Sequence, residues 1–190
     1  SLPAMPIITN CTALATLDVS YNPGISVVPA WVAALPALTT LTAQNNSVTA
    51  VQDVPPGGVA FPALTTLTLA GNLLTGLPPS LARARFLATL NLRYNNISLA
   101  GAPNSSLPEP VLLSAALLCL YLSGNPVTVL PDVVGASRIQ TLECVACNLT
   151  GTVPPALCNA SRLASLVLSS NALTALPRCL ATVTTLTRLE

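Results

Sequence analysis

The side chains that could do chemistry in this chain are six cysteines, seven arginines and six carboxylates, since it contains no histidine and no lysine. Cys144 and Cys147 form a C-x-x-C pair, a spacing that suits a zinc site or a redox disulfide. A structural zinc ion takes four ligands, and the sequence offers no second pair of this kind. We therefore expect two small buried residues, with a local disulfide as the first alternative and zinc as the second.

Catalysis has few routes in this sequence. Without histidine, neither a Ser/His/Asp triad nor a Cys/His pair can form. Glycosidases instead use two carboxyl groups about 5 to 9.5 Å apart. The acids that face outward from predicted strands, Asp18 and Glu143, are five strands apart, which is about 24 Å at about 4.8 Å per strand. We predict a non-catalytic protein with no metal site and no cofactor.

Six N-x-S/T sequons indicate modification by N-glycans. Accidental sequons in a chain rich in Asn and Thr are the alternative. Three of the six lie directly beside positions that the repeat described next predicts to be buried, where sugar could attach without disturbing the core. The predicted glycosylation sites are Asn10, Asn45, Asn96, Asn104, Asn148 and Asn159.

A repeated phrase organises the chain. Two apolar residues stand three apart, a third follows two further on, and Asn comes three after that, as in Leu64, Leu67, Leu69 and Asn72. The phrase starts seven times in one register, and an eighth copy begins at Leu186. This is the leucine-rich repeat pattern. The seven full copies begin at Leu14, Leu38, Leu64, Leu87, Leu117, Ile139 and Leu163.

Each phrase predicts one coil of a solenoid. Its second and third apolar residues alternate inward along a short strand, and stacked coils pair these strands into a parallel sheet on the concave side. Segments such as Leu77–Pro79 predict turns or short helices on the convex side, because proline fits poorly in a second strand. The final step of the phrase should bond backbone groups where each coil turns. This predicted ladder comprises Asn22, Asn46, Asn72, Asn95, Asn125, Cys147 and Asn171.

The predicted organisation is a curved α/β solenoid over residues 14–190, with seven full coils and part of an eighth. Residues 1–13 are expected to form a partial N-terminal cap, in which Pro3, Pro6, Ile7, Ile8 and Cys11 cover the first coil. Because the sequence stops inside the eighth coil, we expect a fragment of a larger protein. The second coil is lengthened around 52–61 and the fourth around 100–110, where loops should project from the side.

The repeat also indicates which cysteines are expected to form a disulfide. Cys158 and Cys179 both follow the proline of consecutive coils, so they should be neighbours on the convex side and form a disulfide. Cys119 lies at an outward step of its coil. Neither it nor Cys11 has an evident partner, because six cysteines allow 15 pairings.

Composition excludes several partners. The chain is 52% hydrophobic with mean hydropathy +0.68. Its richest apolar stretch, 111–122, is shorter than the roughly 20 residues that a membrane span requires, and its leucines fall on the repeat. The formal charge of +1 argues against nucleic acid and anionic lipid, which need clustered basic residues. A protein partner of unknown identity remains, with neighbouring copies of the chain as an alternative.

The predicted binding surface is the concave sheet. Its outward residues are mostly small and neutral, with Thr39–Thr42 and Thr65–Thr68 in the same frame on neighbouring coils. Tyrosine and arginine are the residues that most often dominate binding energy at interfaces. Three of the four candidate binding residues lie on two adjacent coils, and the fourth lies three coils away. The alternative is that the tyrosines are ordinary exposed aromatic residues with no role in binding. These candidates are Arg93, Tyr94, Tyr121 and Tyr21.

The segment Leu149–Pro154 (LTGTVP) resembles the plant-type repeat of receptor ectodomains and of secreted inhibitors of cell-wall enzymes, and Leu74–Pro78 is a shortened version. Other coils resemble the L-x-x-L-P type. Over residues 14–189 the chain thus resembles the extracellular leucine-rich repeat superfamily. The sequons and the six cysteines favour a secreted or cell-surface glycoprotein. The resemblance implies that it serves as a receptor ectodomain or secreted binder. The alternatives are a structural component of a wall, matrix or filament, and ice binding through the threonine rows.

Overall fold

The computed structural model describes residues 1–99, 107–132 and 138–190. Within these ranges, eight strands form one parallel sheet, in which each strand pairs with that of the next coil. Each strand has one inward leucine in its register, as in Leu17, Leu41 and Leu67. The strands are β1 (Thr16–Asp18), β3 (Thr40–Thr42), β5 (Thr66–Thr68), β6 (Thr89–Asn91), β7 (Cys119–Tyr121), β8 (Thr141–Glu143), β10 (Ser165–Val167) and β12 (Arg188–Leu189).

The core runs the length of the solenoid. From the second to the seventh phrase, the three apolar residues form continuous buried columns, exemplified by Leu64, Leu67 and Leu69, which are fully buried. Leu14 and Leu17 of the first phrase are partly buried. No single coil could bury these side chains alone, so the stacking of coils is what stabilises each of them. The predicted solenoid is the observed fold.

The ladder side chains connect each coil to the one before it. Asn95 donates from Nδ2 to the carbonyl oxygens of Leu69 and Leu92, and its Oδ1 accepts from the Leu74 N–H at 3.0 Å. Asn72 and Asn125 make the same set of bonds one coil away on either side. Buried backbone groups that would otherwise lack partners are satisfied in this way. Asn22, Asn46 and Asn171 are only half-buried, unlike the fully buried ladder expected from the sequence.

The residue before each ladder position adopts left-handed backbone in all seven coils, with φ between 51° and 71°. Only Gly71 and Gly124 adopt this conformation without steric cost. At each glycine, a side chain from the preceding coil occupies the space that a Cβ would need: Asn45 lies against Gly71, and the Tyr94 ring lies against Gly124. The residues at the other five of these positions are Tyr21, Asn45, Tyr94, Ala146 and Ser170.

The convex side contains short helices, as predicted, and two additional sheets, which were not. The helices are α1 (Ala30–Ala33), α2 (Glu109–Leu112) and the 3₁₀ helices Pro79–Arg83, Pro155–Asn159 and Arg178–Thr182. Strands β2 (Val27–Val28) and β4 (Ala50–Val51) pair in parallel, as do β9 (Thr150–Thr152) and β11 (Ala172–Ala175). All four strands end before the proline of their coil, and after β2, β9 and β11 this proline is followed by a short helix, so it interrupts no strand.

Both disulfides lie in the sixth and seventh coils. Cys158 and Cys179, the pair preferred from the sequence, are bonded with their Cα atoms 5.7 Å apart. Cys144 and Cys147 are also bonded, with Cα atoms 5.5 Å apart, so the expectation of two unbonded buried cysteines is wrong. Both side chains are fully buried and three residues apart at a tight turn, which brings their Cβ atoms within bonding reach. Within the described residues, Cys11 and Cys119 are free.

The N-terminal segment covers the first coil through a different residue from those expected. Met5 is buried, whereas Ile7 is 79% exposed and Pro3, Pro6 and Cys11 are also exposed. The Leu2 N–H donates to Asn22 Oδ1 at 2.8 Å, which extends the ladder by one step. The loop expected around 100–110 falls largely outside the described residues.

Candidate interaction surface on the concave sheet

Two outward columns of side chains cover the concave sheet, because alternate residues of each strand face solvent. Strand pairing places the first outward residue of each strand in one column: Thr16, Thr40, Thr66, Thr89, Cys119, Thr141, Ser165 and Arg188. The second column begins with Asp18, Thr42 and Thr68 and changes character at Asn91, Tyr121 and Glu143.

A network of charged and aromatic groups occupies the fourth to sixth coils. The Arg93 guanidinium lies 4.3 Å from the centroid of the Tyr121 ring. It also forms a two-pronged ion pair with Glu143, with Nε donating to Oε1 at 2.7 Å. Cation–π contact and a bidentate carboxylate pair both fix the plane of a guanidinium. Arg93 is therefore held across three coils.

Ser123 completes this network beneath the ion pair. Its hydroxyl donates to Glu143 Oε1 at 2.6 Å and accepts from the Val145 N–H at 3.0 Å. The Glu143 carboxylate thus has partners from two directions. The sequence interpretation included neither Glu143 nor Ser123 in this patch, although strand register alone places Glu143 beside Tyr121.

The protonation equilibria reflect these contacts. The hydrogen bonds from Arg93, followed by the Ser123 hydroxyl and the arginine charge, lower the pKa of Glu143 despite its partial burial. The same hydrogen bonding to Glu143 raises the pKa of Arg93. Partial burial raises the pKa of Tyr121, and contact with Cys119 adds to the effect. At neutral pH the network therefore contains one fixed cation, one fixed anion and a neutral phenol.

The four candidate binding residues do not form one patch. Arg93 and Tyr121 are in contact, and Tyr94 lies in the same coil as Arg93 with its side chain 67% exposed. Tyr21 occupies the equivalent left-handed position three coils away, about 14 Å along the sheet at about 4.8 Å per strand. The network therefore has Arg93, Tyr121 and Glu143 at its centre and Tyr94 at its edge, without Tyr21.

The predicted glycosylation sites lie outside the concave columns. Asn10, Asn45, Asn96, Asn148 and Asn159 are all exposed. Asn104 lies outside the described residues. Asn45, Asn96 and Asn148 follow the strands, at the edge where each coil turns, so a glycan on any of them would leave the centre of the concave sheet uncovered.

Two general features bear on the surface. In the described part of the chain, no cluster of three or more His, Cys, Asp or Glu side chains could hold a metal ion. No helix within residues 1–99, 107–132 and 138–190 is long and apolar enough to cross a membrane.

Comparison with known proteins agrees with the fold. The family description Leucine Rich Repeat matches residues 63–84. A search of curated protein sequences found no match to this chain. Together, the seven-fold phrase, the eight-stranded sheet and the ladder show that the fold is a leucine-rich repeat solenoid.

Solved structures with this fold include plant receptor ectodomains. The matched chain in the PEPR1–AtPEP1 crystal structure is 26% identical with a TM-score of 0.71, and the match covers 92% of this chain and 24% of that one. The match to the Arabidopsis receptor kinase HAESA complex with the peptide hormone IDA and the co-receptor SERK1 is 24% identical, covering 94% and 34%, with a TM-score of 0.68. A plant ice-binding protein is 23% identical, with coverage of 96% and 57% and a TM-score of 0.67.

The chain spans about a quarter to a third of the length of these receptor chains. The two matches below 25% identity show the fold alone. What this chain shares with the matched structures is the leucine-rich repeat solenoid.

Proposed function

We propose that this chain is a non-catalytic extracellular binding module that holds a peptide or an extended protein segment on its concave sheet, centred on Arg93, Tyr121 and Glu143. The fixed geometry of Arg93 carries the proposal. A guanidinium that is stacked on a ring and paired with a carboxylate loses little conformational entropy when a partner binds. Arginine and tyrosine side chains held in this way are typical of interface residues that dominate affinity.

The shape of the surface supports an extended partner. The central columns contain small hydroxyl side chains on both sides of the network, which allow close approach of another backbone. Because the Arg93 charge is already balanced by Glu143, the surface favours hydrogen-bonding and aromatic contacts over simple attraction to an anion. The receptor kinase HAESA is described in complex with a peptide hormone, and this agrees with the proposal.

A peptide-display selection tests the proposal. Random 12-residue peptides are selected on the immobilised chain, and the affinity of recovered peptides is measured for wild type and for Tyr121→Ala. Arg178→Ala, an exposed arginine on the convex 3₁₀ helix, is the matched control. We expect at least a tenfold loss of affinity for Tyr121→Ala and no change for Arg178→Ala. Peptides that bind both variants as tightly as wild type would overturn the concave site.

Extracellular placement and N-glycosylation belong to the same proposal. The two disulfides fit an oxidising compartment. The exposure of all five described sequon asparagines is what an oligosaccharide transferase would require. Intact mass of the protein from its native source, before and after enzymatic deglycosylation, tests this directly. Unmodified mass would contradict the extracellular assignment.

Ice binding is a second candidate, favoured by the threonine register. Thr16, Thr40, Thr66 and Thr89 stand in one column, and Thr42 and Thr68 stand beside two of them. Such a column repeats about every 4.8 Å, so its hydroxyl groups could order water regularly. Inhibition of ice recrystallisation by wild type but not by Thr66→Tyr would support it, and growth of ice unaffected by wild type would exclude it.

Assembly with neighbouring copies remains the structural alternative. Gel filtration of the purified protein distinguishes it, since a module that acts by binding a separate partner elutes as a monomer at micromolar concentration, whereas a wall or filament component elutes as a large species.

A further inference from the structure

A groove on the side of the solenoid lies away from the concave network. It separates the lengthened loop of the second coil from the end of the third coil and encloses about 330 Å³. Its walls include Val59 and Phe86, which are 58% and 60% exposed, and its arginines are Arg83 and Arg85. The volume lies at the lower end of the range for ligand-binding pockets.

The loop wall of this groove is fixed by its contacts. The Arg83 guanidinium donates to the carbonyl oxygens of Val54, at 2.8 Å, and Pro55. Ser80 bonds the same loop in both directions: its N–H donates to Asp53 Oδ1 at 3.0 Å, and its hydroxyl accepts from the Val54 N–H. A loop with this many bonds to the next coil presents a surface of constant shape.

The core fixes the loop from its other end. Phe61 and Ala60 are buried, and the Phe61 N–H donates to the Ala33 carbonyl oxygen at 2.7 Å. Gly57 turns the chain with a φ of 83°, and a side chain at Gly58 would collide with Val54. The loop is therefore held against the core and the next coil at the side of the solenoid. Phe61 turns inward, whereas Phe86, on the other wall, faces solvent.

The charges of the groove are of one sign. Arg83 uses its terminal nitrogens on the loop, and Arg85 is exposed. Among the described residues, no carboxylate lies within ion-pairing distance of Arg85, and the groove lining contains no acidic residue. An apolar surface beside an unpaired guanidinium complements a group that is both apolar and anionic.

We propose that this groove is a second docking site, for a segment of another protein that presents an aromatic or aliphatic side chain next to a carboxylate. The apolar side chain packs between Val59 and Phe86, and the carboxylate pairs with the Arg85 guanidinium. The site is independent of the concave network, since the two share no residue.

NMR titration with two matched probes tests the proposal. Acetyl-Phe-Asp-amide and acetyl-Phe-Lys-amide are added to isotope-labelled wild-type chain, and the Val59 methyl and Phe86 ring signals are followed. We expect saturable shifts at these residues with the Asp probe, with a Kd of about 1 to 10 mM for so small a ligand. The Lys probe should bind at least tenfold more weakly.

Two variants complete the test. Arg85→Gln should weaken binding of the Asp probe at least fivefold, while Arg162→Gln, an exposed arginine just before the seventh phrase, should leave it unchanged. Equal binding of the two probes would overturn the charge assignment, and an absence of shifts at Val59 and Phe86 at 20 mM probe would overturn the site. Neither result would affect the concave site, because its test uses Tyr121→Ala.

Discussion

The first three coils and the following three present different concave surfaces on one continuous framework. In the first three, the outward residues are threonines apart from Asp18, whose carboxylate accepts from its own neighbour Ser20. In the fourth to sixth, Arg93, Tyr121 and Glu143 contact one another across strands. The inward leucine of each strand is kept in both parts, and the ladder residue is asparagine in every one of these coils except the sixth, where it is Cys147. Inward positions therefore determine the fold, and outward positions are free to acquire function.

The difference also shows how the network is built. Its members come from three successive coils, so they are distant in sequence but about 4.8 Å apart per step in the sheet. Arg93 follows its strand by two positions, whereas Tyr121 and Glu143 end theirs. Because Glu143 lies two coils away, the Arg93 side chain must extend across the strand that contains Tyr121 to form the ion pair.

The largest expected effect concerns the disulfides. Within the described residues they lie in the sixth and seventh coils, and the first three coils contain none. Replacing Cys158 and Cys179 by serine removes a cross-link between residues 21 apart and should lower the free energy of unfolding by about 3 kcal/mol. Urea unfolding measured by circular dichroism gives the value. The control is Cys119→Ser, which removes a free thiol and should change stability by less than about 0.5 kcal/mol.

The ladder should matter in both parts. Asn95→Ala leaves the buried Leu74 N–H without its partner, at a cost of about 2 kcal/mol. It also removes one of the two side-chain hydrogen bonds that the Leu69 and Leu92 carbonyl oxygens each accept. Asn46→Ala, at a half-buried position in the second coil, should cost less, about 1 kcal/mol. Equal losses measured by urea unfolding would show that burial of the ladder does not set its contribution.

The ion pair should make the stability of the network half sensitive to acid. Glu143→Gln should lower stability at pH 7 by about 1 kcal/mol, since the pair is half-buried and part of its attraction is screened by solvent. The pKa of Glu143 is lowered in the folded state from its ordinary value of about 4.5. The stabilisation is therefore complete above about pH 4.5 and is lost as the pH falls through the folded-state pKa.

The pH dependence provides its own check. The difference in melting temperature between wild type and Glu143→Gln should shrink as the pH is lowered from 5 toward 3. Glu109→Gln, at an exposed glutamate of α2 that forms no ion pair with any described residue, serves as control. A constant difference across this range would mean that the ionised form of Glu143 contributes no stability.

The smallest effect is expected in the threonine half. Thr66 is half-buried at the centre of its column, and its side chain makes no hydrogen bond to another described residue. Thr66→Val retains the shape and the β-branched form, so stability should change by less than about 0.5 kcal/mol. Binding of peptides selected on the concave sheet should also be unchanged. A loss of binding equal to that of Tyr121→Ala would extend the site across both halves.

Much of this architecture could be predicted because a repeated phrase constrains every coil at once. The spacing of Leu67, Leu69 and Asn72 specifies a strand, a core and a turn, and seven copies in register leave one way to stack them. The same register places Arg93 and Tyr121 on adjacent coils. The pairing of Cys158 with Cys179 follows from equivalent positions in consecutive coils.

Other features depended on details that the phrase does not specify. The Cys144–Cys147 disulfide requires the tight turn at the end of its strand. The repeat predicts only that both positions are buried, which favoured two free thiols. The phrase also gives no sign that Arg83 and Ser80 of the third coil form hydrogen bonds with the backbone of the second coil's loop. The convex strands β9 and β11 end before the proline of their coil, although that proline predicted turns or short helices in place of a second strand.

The two free cysteines allow a direct test of the concave binding site, because Cys119 lies in the concave column beside Tyr121 whereas Cys11 is exposed in the N-terminal segment. The rate at which N-ethylmaleimide alkylates each thiol is measured by mass spectrometry, with and without a saturating peptide from the display selection. We predict that the bound peptide slows alkylation of Cys119 at least tenfold and leaves Cys11 unchanged. An unchanged rate at Cys119 under saturation would contradict binding on the concave sheet.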